Sequence, residues 1–362
     1  MDDLHQAYAK TVQAVAASAA ARVHPSSGYD ARIDLIKVVG SIGVVLVHTS
    51  MFALGDAAQR DSAAWWLANL GNSAGRNASM LFAMVAGAVL LARPIEQAPG
   101  RFIGARWSRI MPALAFWSTF YFLWRWWQGS PITLAVLARD LWSGQPYFHL
   151  WFLFAIAGLY VLMPGVRLWV RTGAPPPVAW AMLAASMGYV WVFTTQMAWQ
   201  GSLSSFVVLT PLLVPYLLAG YLLYHAPPPC GVRGWAGLAA ACLLGIVGVM
   251  GWLYPGASAS STALMQFLRV PLTFGWTFGL FALLTHVRLA GAGTRIVQAI
   301  APVTLGIYAI HPFWIDVIER AGFGIKQPGG AAWLLYAVLV YGLSTVSVLL
   351  LARLPGIRRA MR

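Results

Sequence analysis

Arg32-Ile-Asp-Leu-Ile-Lys37-Val-Val-Gly-Ser-Ile-Gly-Val-Val-Leu-Val-His48 is apolar enough to enter a membrane, yet it carries Asp34, Lys37 and His48. An ionisable group at the centre of a membrane helix costs about 2.5–3.5 kcal/mol on insertion scales. Such groups persist where they pair, line a wet cavity or do chemistry. This stretch is therefore the first membrane helix, and His48 is the leading catalytic candidate. The rest of the chain agrees with the membrane setting. Of 362 residues, 59% are hydrophobic and 9% are charged, against about 25% charged in a soluble domain.

A membrane helix needs about 20 mostly apolar residues. By that measure the expectation is an all-α, polytopic bundle of about ten transmembrane helices. They run near 33–54, 76–92, 109–127, 148–166, 178–196, 205–224, 235–254, 268–287, 296–317 and 332–353. Residues 131–143 are too short to cross and read as an outer amphipathic or re-entrant piece. Residues 1–30, Ala-rich and starting Met-Asp-Asp, read as a cytoplasmic helix and linker, 31–355 as the membrane domain, and 356–362 as a basic cytoplasmic tail.

The net charge of +14 suggests nucleic acid at first sight. No basic stripe with interleaved aromatics supports that. The arginines instead recur in alternate loops, at Arg32, then Arg101 to Arg109, Arg167, Arg171, Arg233, Arg288, Arg295 and Arg353 onward. Loops rich in Lys and Arg stay in the cytoplasm, so both termini are expected inside. Two cysteines make no disulfide framework, and the seven histidines lack metal-ligand spacing, so no metal is expected.

Orientation assigns depth. Lys37 and His48 stand eleven positions apart, roughly 16 Å along a helix. Lys37 falls near the inner leaflet and His48 in the outer half. His149, at the start of the fourth span, and His311, near the end of the ninth after Tyr308, reach the same outer half. Arg76 is expected there too, at the outer start of the second span. Arg106 and Arg109 share one face at the inner end of the third. Two readings stand for that arginine pair: topology anchors, or a grip for an anionic, phosphate-bearing donor. Asp34 and Lys37 either neutralise each other or join the catalytic group. Gly40, Gly43 and Gly87 read as close-packing positions, and Pro302 and Pro312 as kinks.

Five motifs then carry a family resemblance. They are Lys37 with ten residues to His48; the Arg76-led second span with Gly87; Arg106-Trp-Ser-Arg109-Ile-Met-Pro112; His149-Leu-Trp151-Phe-Leu opening the fourth span; and Leu305-Gly-Ile-Tyr308-Ala-Ile-His311-Pro312. In this order the chain resembles membrane-bound acyltransferase family 3, the O-acyl transferases that decorate bacterial surface glycans. Lys37 stands where the family often has Arg, and Ala86 where it often has Ser.

The resemblance implies acetyl-CoA or another acyl-CoA as donor substrate, with no bound cofactor. Arg106, Arg109 and Arg32 would bind the donor. His48 would be catalytic, with Lys37 and Asp34 counted in the catalytic group. Arg76, His149, Trp151, Tyr308 and His311 would orient the acceptor. That acceptor is expected to be an exopolysaccharide or lipid-linked oligosaccharide at the bacterial inner membrane, near polysaccharide-synthesis machinery. A transporter or flippase for a lipid-linked sugar is the competing expectation, although the two halves of the chain show no internal repeat.

Overall fold

A computed structural model describes residues 30–55, 60–92, 98–171, 176–200, 206–253, 259–323 and 330–361. Residues 1–29 of the expected helix and linker at 1–30 lie outside these, as do Arg93, Arg362 and parts of the loops at 197–204 and 255–266. The described residues are mostly helical, with no strand.

Helix α1 (Ala31–Leu54) starts at a capped end. The Asp30 side chain accepts from the Arg32 amide at 2.9 Å and pairs with the Arg32 guanidinium at 2.9 Å. Arg32 also donates to the Tyr224 hydroxyl at 3.1 Å and to the Thr285 carbonyl at 3.5 Å. Burial alone would raise the Asp30 pKa, yet hydrogen bonds from Arg32 and Tyr224 hold it below the ordinary carboxylate value.

The second crossing differs from expectation. It begins at residue 63 rather than 76 and runs as α2 (Ala63–Gly75) and α3 (Ala78–Ala86), ending in a π-turn at Gly87–Leu91. Arg76 is therefore the joint in the middle of a span from Ala63 to Leu91, not its outer start. A Cβ on Gly75 would overlap the Gly43 carbonyl, so the joint sits level with the middle of α1. Hydropathy hid the first half because it carries Asn69, Asn72 and Ser73, but these side chains are answered. Asn69 donates to the Val247 carbonyl at 3.0 Å. Asn72 donates to Val47 O at 3.2 Å and to Ser50 Oγ at 2.9 Å. Asn77 donates to Tyr216 Oη at 2.9 Å. Polar groups so paired let a helix cross. Gly87 likewise admits the Leu217 carbonyl of the neighbouring helix, where no Cβ would fit.

Helix α4 (Pro99–Trp127) carries Arg101, Arg106, Arg109 and Arg125 and continues through Pro112. Its 29 residues span about 43 Å, enough to cross. It lies outside the nine helices of the described residues that are both long and apolar enough to cross. The nine plus α4 account for the expected ten. After it, α5 (Leu134–Ser143) is the piece too short to cross, capped by Thr133 and closed at Gly144 with φ of 72°. Arg125 pins it through Asp140 at 2.6 Å.

The bundle continues with α6 (Trp151–Arg171), α7 (Pro176–Gln200), α8 (Phe206–Leu209), α9 (Val214–His225), α10 (Val232–Leu253) and α11 (Ala259–Thr285). It closes with α12 (Gly291–Ile300), α13 (Thr304–Ile318), α14 (Gly330–Leu351) and α15 (Arg358–Met361). The main core joins side chains from α1, α3, α4, α6, α9, α11, α13 and the chain end. The last turn folds back into the bundle: Trp117 Nε1 donates to the Ala360 carbonyl at 3.0 Å, and Met361 is fully buried. One end of the bundle gathers Arg32, Arg106, Arg109, Arg358 and Arg359, and is called the basic end below.

Candidate active site

His48 on α1, His149 just before α6 and His311 on α13 meet in one layer. His48 and His311 stack with ring centroids 4.9 Å apart, and His149 stands edge-on to His311 at 5.3 Å. His149 and His311 are 2% and 0% exposed, whereas His48 is half-buried under Phe148.

Hydrogen bonds fix where the protons sit. Pro312 has no amide hydrogen, so it leaves the Tyr308 carbonyl, one turn earlier, without its helical donor. His311 Nδ1 takes that place at 2.7 Å. A carbonyl only accepts, so His311 Nδ1 bears the hydrogen, and in the neutral ring Nε2 is a lone pair. That Nε2 lies 2.9 Å from His48 Nδ1. His48 must therefore donate from Nδ1, which leaves its Nε2 as a basic lone pair. His149 Nε2 is fixed in the same way, donating to the Ala309 carbonyl at 3.0 Å. That carbonyl also receives the Tyr121 hydroxyl at 2.7 Å, and the Tyr308 hydroxyl caps the His149 carbonyl.

Between this layer and the basic end runs a cavity of about 440 Å³. Lys37, Arg106 and Arg109 line its basic end, Phe82 and Phe152 its apolar flank, and Tyr308 its far end. Tyr308 packs against His149 at 5.5 Å and His311 at 6.3 Å, so the cavity stops one aromatic ring short of the histidines. Arg106 lies over the Phe102 ring at 5.3 Å, which Arg167 shares at 4.7 Å.

The family model described as "Acyltransferase domain" matches residues 30–353. The chain belongs to acyltransferase family 3. No curated protein matches it, and no solved structure does. Membership favours the acyl-transfer reading of the chain over the carrier reading.

In this acyltransferase the other candidate residues fall into place unevenly. Asp34 and Lys37 pair at 2.8 Å near the basic end. They stand fourteen and eleven positions before His48, roughly 21 and 16 Å away along α1, so only Lys37 touches the cavity. Arg32 is at the basic end but does not line the cavity. Arg76 donates to Asn72, which holds the Val47 carbonyl and Ser50 on either side of His48. Trp151 packs edge-on to Phe152 at 5.9 Å, away from the three imidazoles.

One group escaped sequence reasoning. Asp316 accepts from Trp124 Nε1 at 2.8 Å, from Gln128 Nε2 at 3.3 Å and from the Tyr147 hydroxyl. Burial first, and then that bond to Asp316, pushes the Tyr147 phenol above its usual range and keeps it protonated. Tyr147 stacks on Tyr121 at 4.3 Å, and Tyr121 stands edge-on to His149 at 5.1 Å. The signal was present, since Asp316 is an acid in an otherwise apolar span. Among the described residues no group of His, Cys, Asp or Glu side chains converges as metal ligands do.

Proposed function

We propose that this acyltransferase moves an acetyl group from cytoplasmic acetyl-CoA to a sugar hydroxyl of an exopolysaccharide or lipid-linked oligosaccharide at the bacterial inner membrane. The observation that carries the reading is the cavity running from Arg106 and Arg109 to Tyr308, whose ring packs against His149 and His311. A charged carrier with a long flexible arm suits a passage that is cationic at one end and aromatic along its length.

The acceptor hydroxyl loses its proton to His48 Nε2 as its oxygen attacks the thioester carbonyl. The carbon–sulfur bond then breaks, and the departing thiolate takes the proton back from His48. The ester and the free thiol are the products. His311 Nε2 accepts the bond from His48 Nδ1 throughout and steadies the imidazolium. Acid–base catalysis of this kind supplies about 10²–10⁴-fold. Arg76 and His149 orient the acceptor, and polysaccharide-synthesis proteins are the expected neighbours.

The test uses membranes holding the full chain, labelled acetyl-CoA and the host glycan. Label should pass to the glycan with wild type and fall by at least about 10²-fold with His48→Ala at equal protein level. Wild-type transfer by His48→Ala would remove the role given to His48.

A further inference from the structure

Arg109 faces two spaces. It lines the donor cavity, and it also lines a second, solvent-open hollow of about 640 Å³ whose other walls are Ser108, Arg358 and Arg359. Arg358 and Arg359 are exposed, but they do not hang from a loose tail. The two residues that follow them, Ala360 and Met361, are 3% and 0% exposed. The Ala360 carbonyl is held by Trp117 Nε1 from α4, the helix that carries Arg109. The Met361 carbonyl lies against Gly306 at the start of α13. A topology anchor needs only charge near the membrane surface. It needs no hydrogen-bonded seat in the core, and no fixed distance to another arginine. Among the described residues, no acidic side chain lines the hollow.

We propose that Arg358 and Arg359 close the donor site: together with Arg109 they hold the phosphates of the nucleotide half of acyl-CoA, while the neighbouring cavity takes the acyl-pantetheine arm. This rests on the acyl-CoA reading above and names the residues that would recognise the carrier's charge. Guanidinium forks match phosphate oxygens two at a time. The cavity's aromatic flank has no use for three phosphates, and the hollow has no use for an apolar arm. The chain end thus belongs to the substrate site.

The test compares three donors on the full chain in lipid nanodiscs: acetyl-CoA, dephospho-acetyl-CoA and S-acetylpantetheine, which lacks every nucleotide phosphate. With R358A/R359A the KM for acetyl-CoA should rise about tenfold with a much smaller change in kcat. The KM for S-acetylpantetheine should not move, and R358K/R359K should recover part of the loss. An unchanged acetyl-CoA KM, or an equal rise for all three donors, overturns the proposal. So does a defect that follows the anionic-lipid content of the nanodisc rather than the donor, because the arginines would then hold lipid headgroups. Wild type that turns over S-acetylpantetheine and ignores acetyl-CoA removes the acyl-CoA reading together with this one. Failure of the arginine variant alone leaves that reading standing.

Discussion

At the basic end, Lys37, Arg106 and Arg109 border open space, and Asp34 pairs with Lys37. In the histidine layer, some three turns along α1, His149 and His311 are sealed, and their ring hydrogens go to backbone carbonyls. The first region keeps permanent charge where solvent and ligand can meet it. The second keeps neutral rings whose proton positions are set by the backbone. Capturing an anion calls for charge that is always present. Moving a proton calls for a group whose protonation can change. The spacing along α1 lets one helix serve both ends.

That contrast can be broken from either side. The largest effect is expected at the histidine layer. His48→Ala should lower kcat about 10²–10⁴-fold and leave the acetyl-CoA KM nearly unmoved; a loss confined to KM would mean that His48 binds rather than reacts. Next comes the partner ring. His311→Ala should cost roughly 10–100-fold in kcat by freeing the His48 tautomer, and His311→Gln, which can still accept from His48 Nδ1, should recover part of it. Equal activity for all three would remove His311 as a positioning residue.

At the basic end, Arg106→Ala/Arg109→Ala should raise the acetyl-CoA KM by about tenfold or more, since hydrogen bonds to charged groups contribute about 1.5–3 kcal/mol each. Isotherms of labelled acetyl-CoA binding check this directly. The smallest effect belongs to the cap. Asp30→Ala should lower stability by about 1 kcal/mol, measured by thermal unfolding in detergent. Because the folded pKa of Asp30 lies below its ordinary value of 3.8, the electrostatic part of that difference is present above the usual carboxylate range. It fades as the pH falls below it.

Much of this arrangement was legible from the residues. An imidazole in an apolar run is conspicuous, so His48, His149 and His311 could be placed at one depth before any coordinates. Gly43 and Gly87 marked close approaches for a similar reason. Arg76 was misplaced because averaging over a window cannot tell a loop from polar residues answered by neighbours. Asp34 pairs with Lys37, one of the two outcomes the sequence left open for it. The Asp316–Tyr147 contact joins positions 169 apart, and no local pattern signals that. The seat of the chain end was hidden too, because a four-residue helix with two arginines reads as a solvated tail.

Pro312 ties two properties that engineering would prefer to tune separately. An ordinary residue there would restore a helical donor to α13, but its new amide would compete with His311 for the Tyr308 carbonyl. The imidazole pair would then sample several proton arrangements, and only some would present His48 Nε2 ready to accept. A helix with its full set of donors would come with a less decided base, so stabilising libraries for this protein should leave Pro312 untouched.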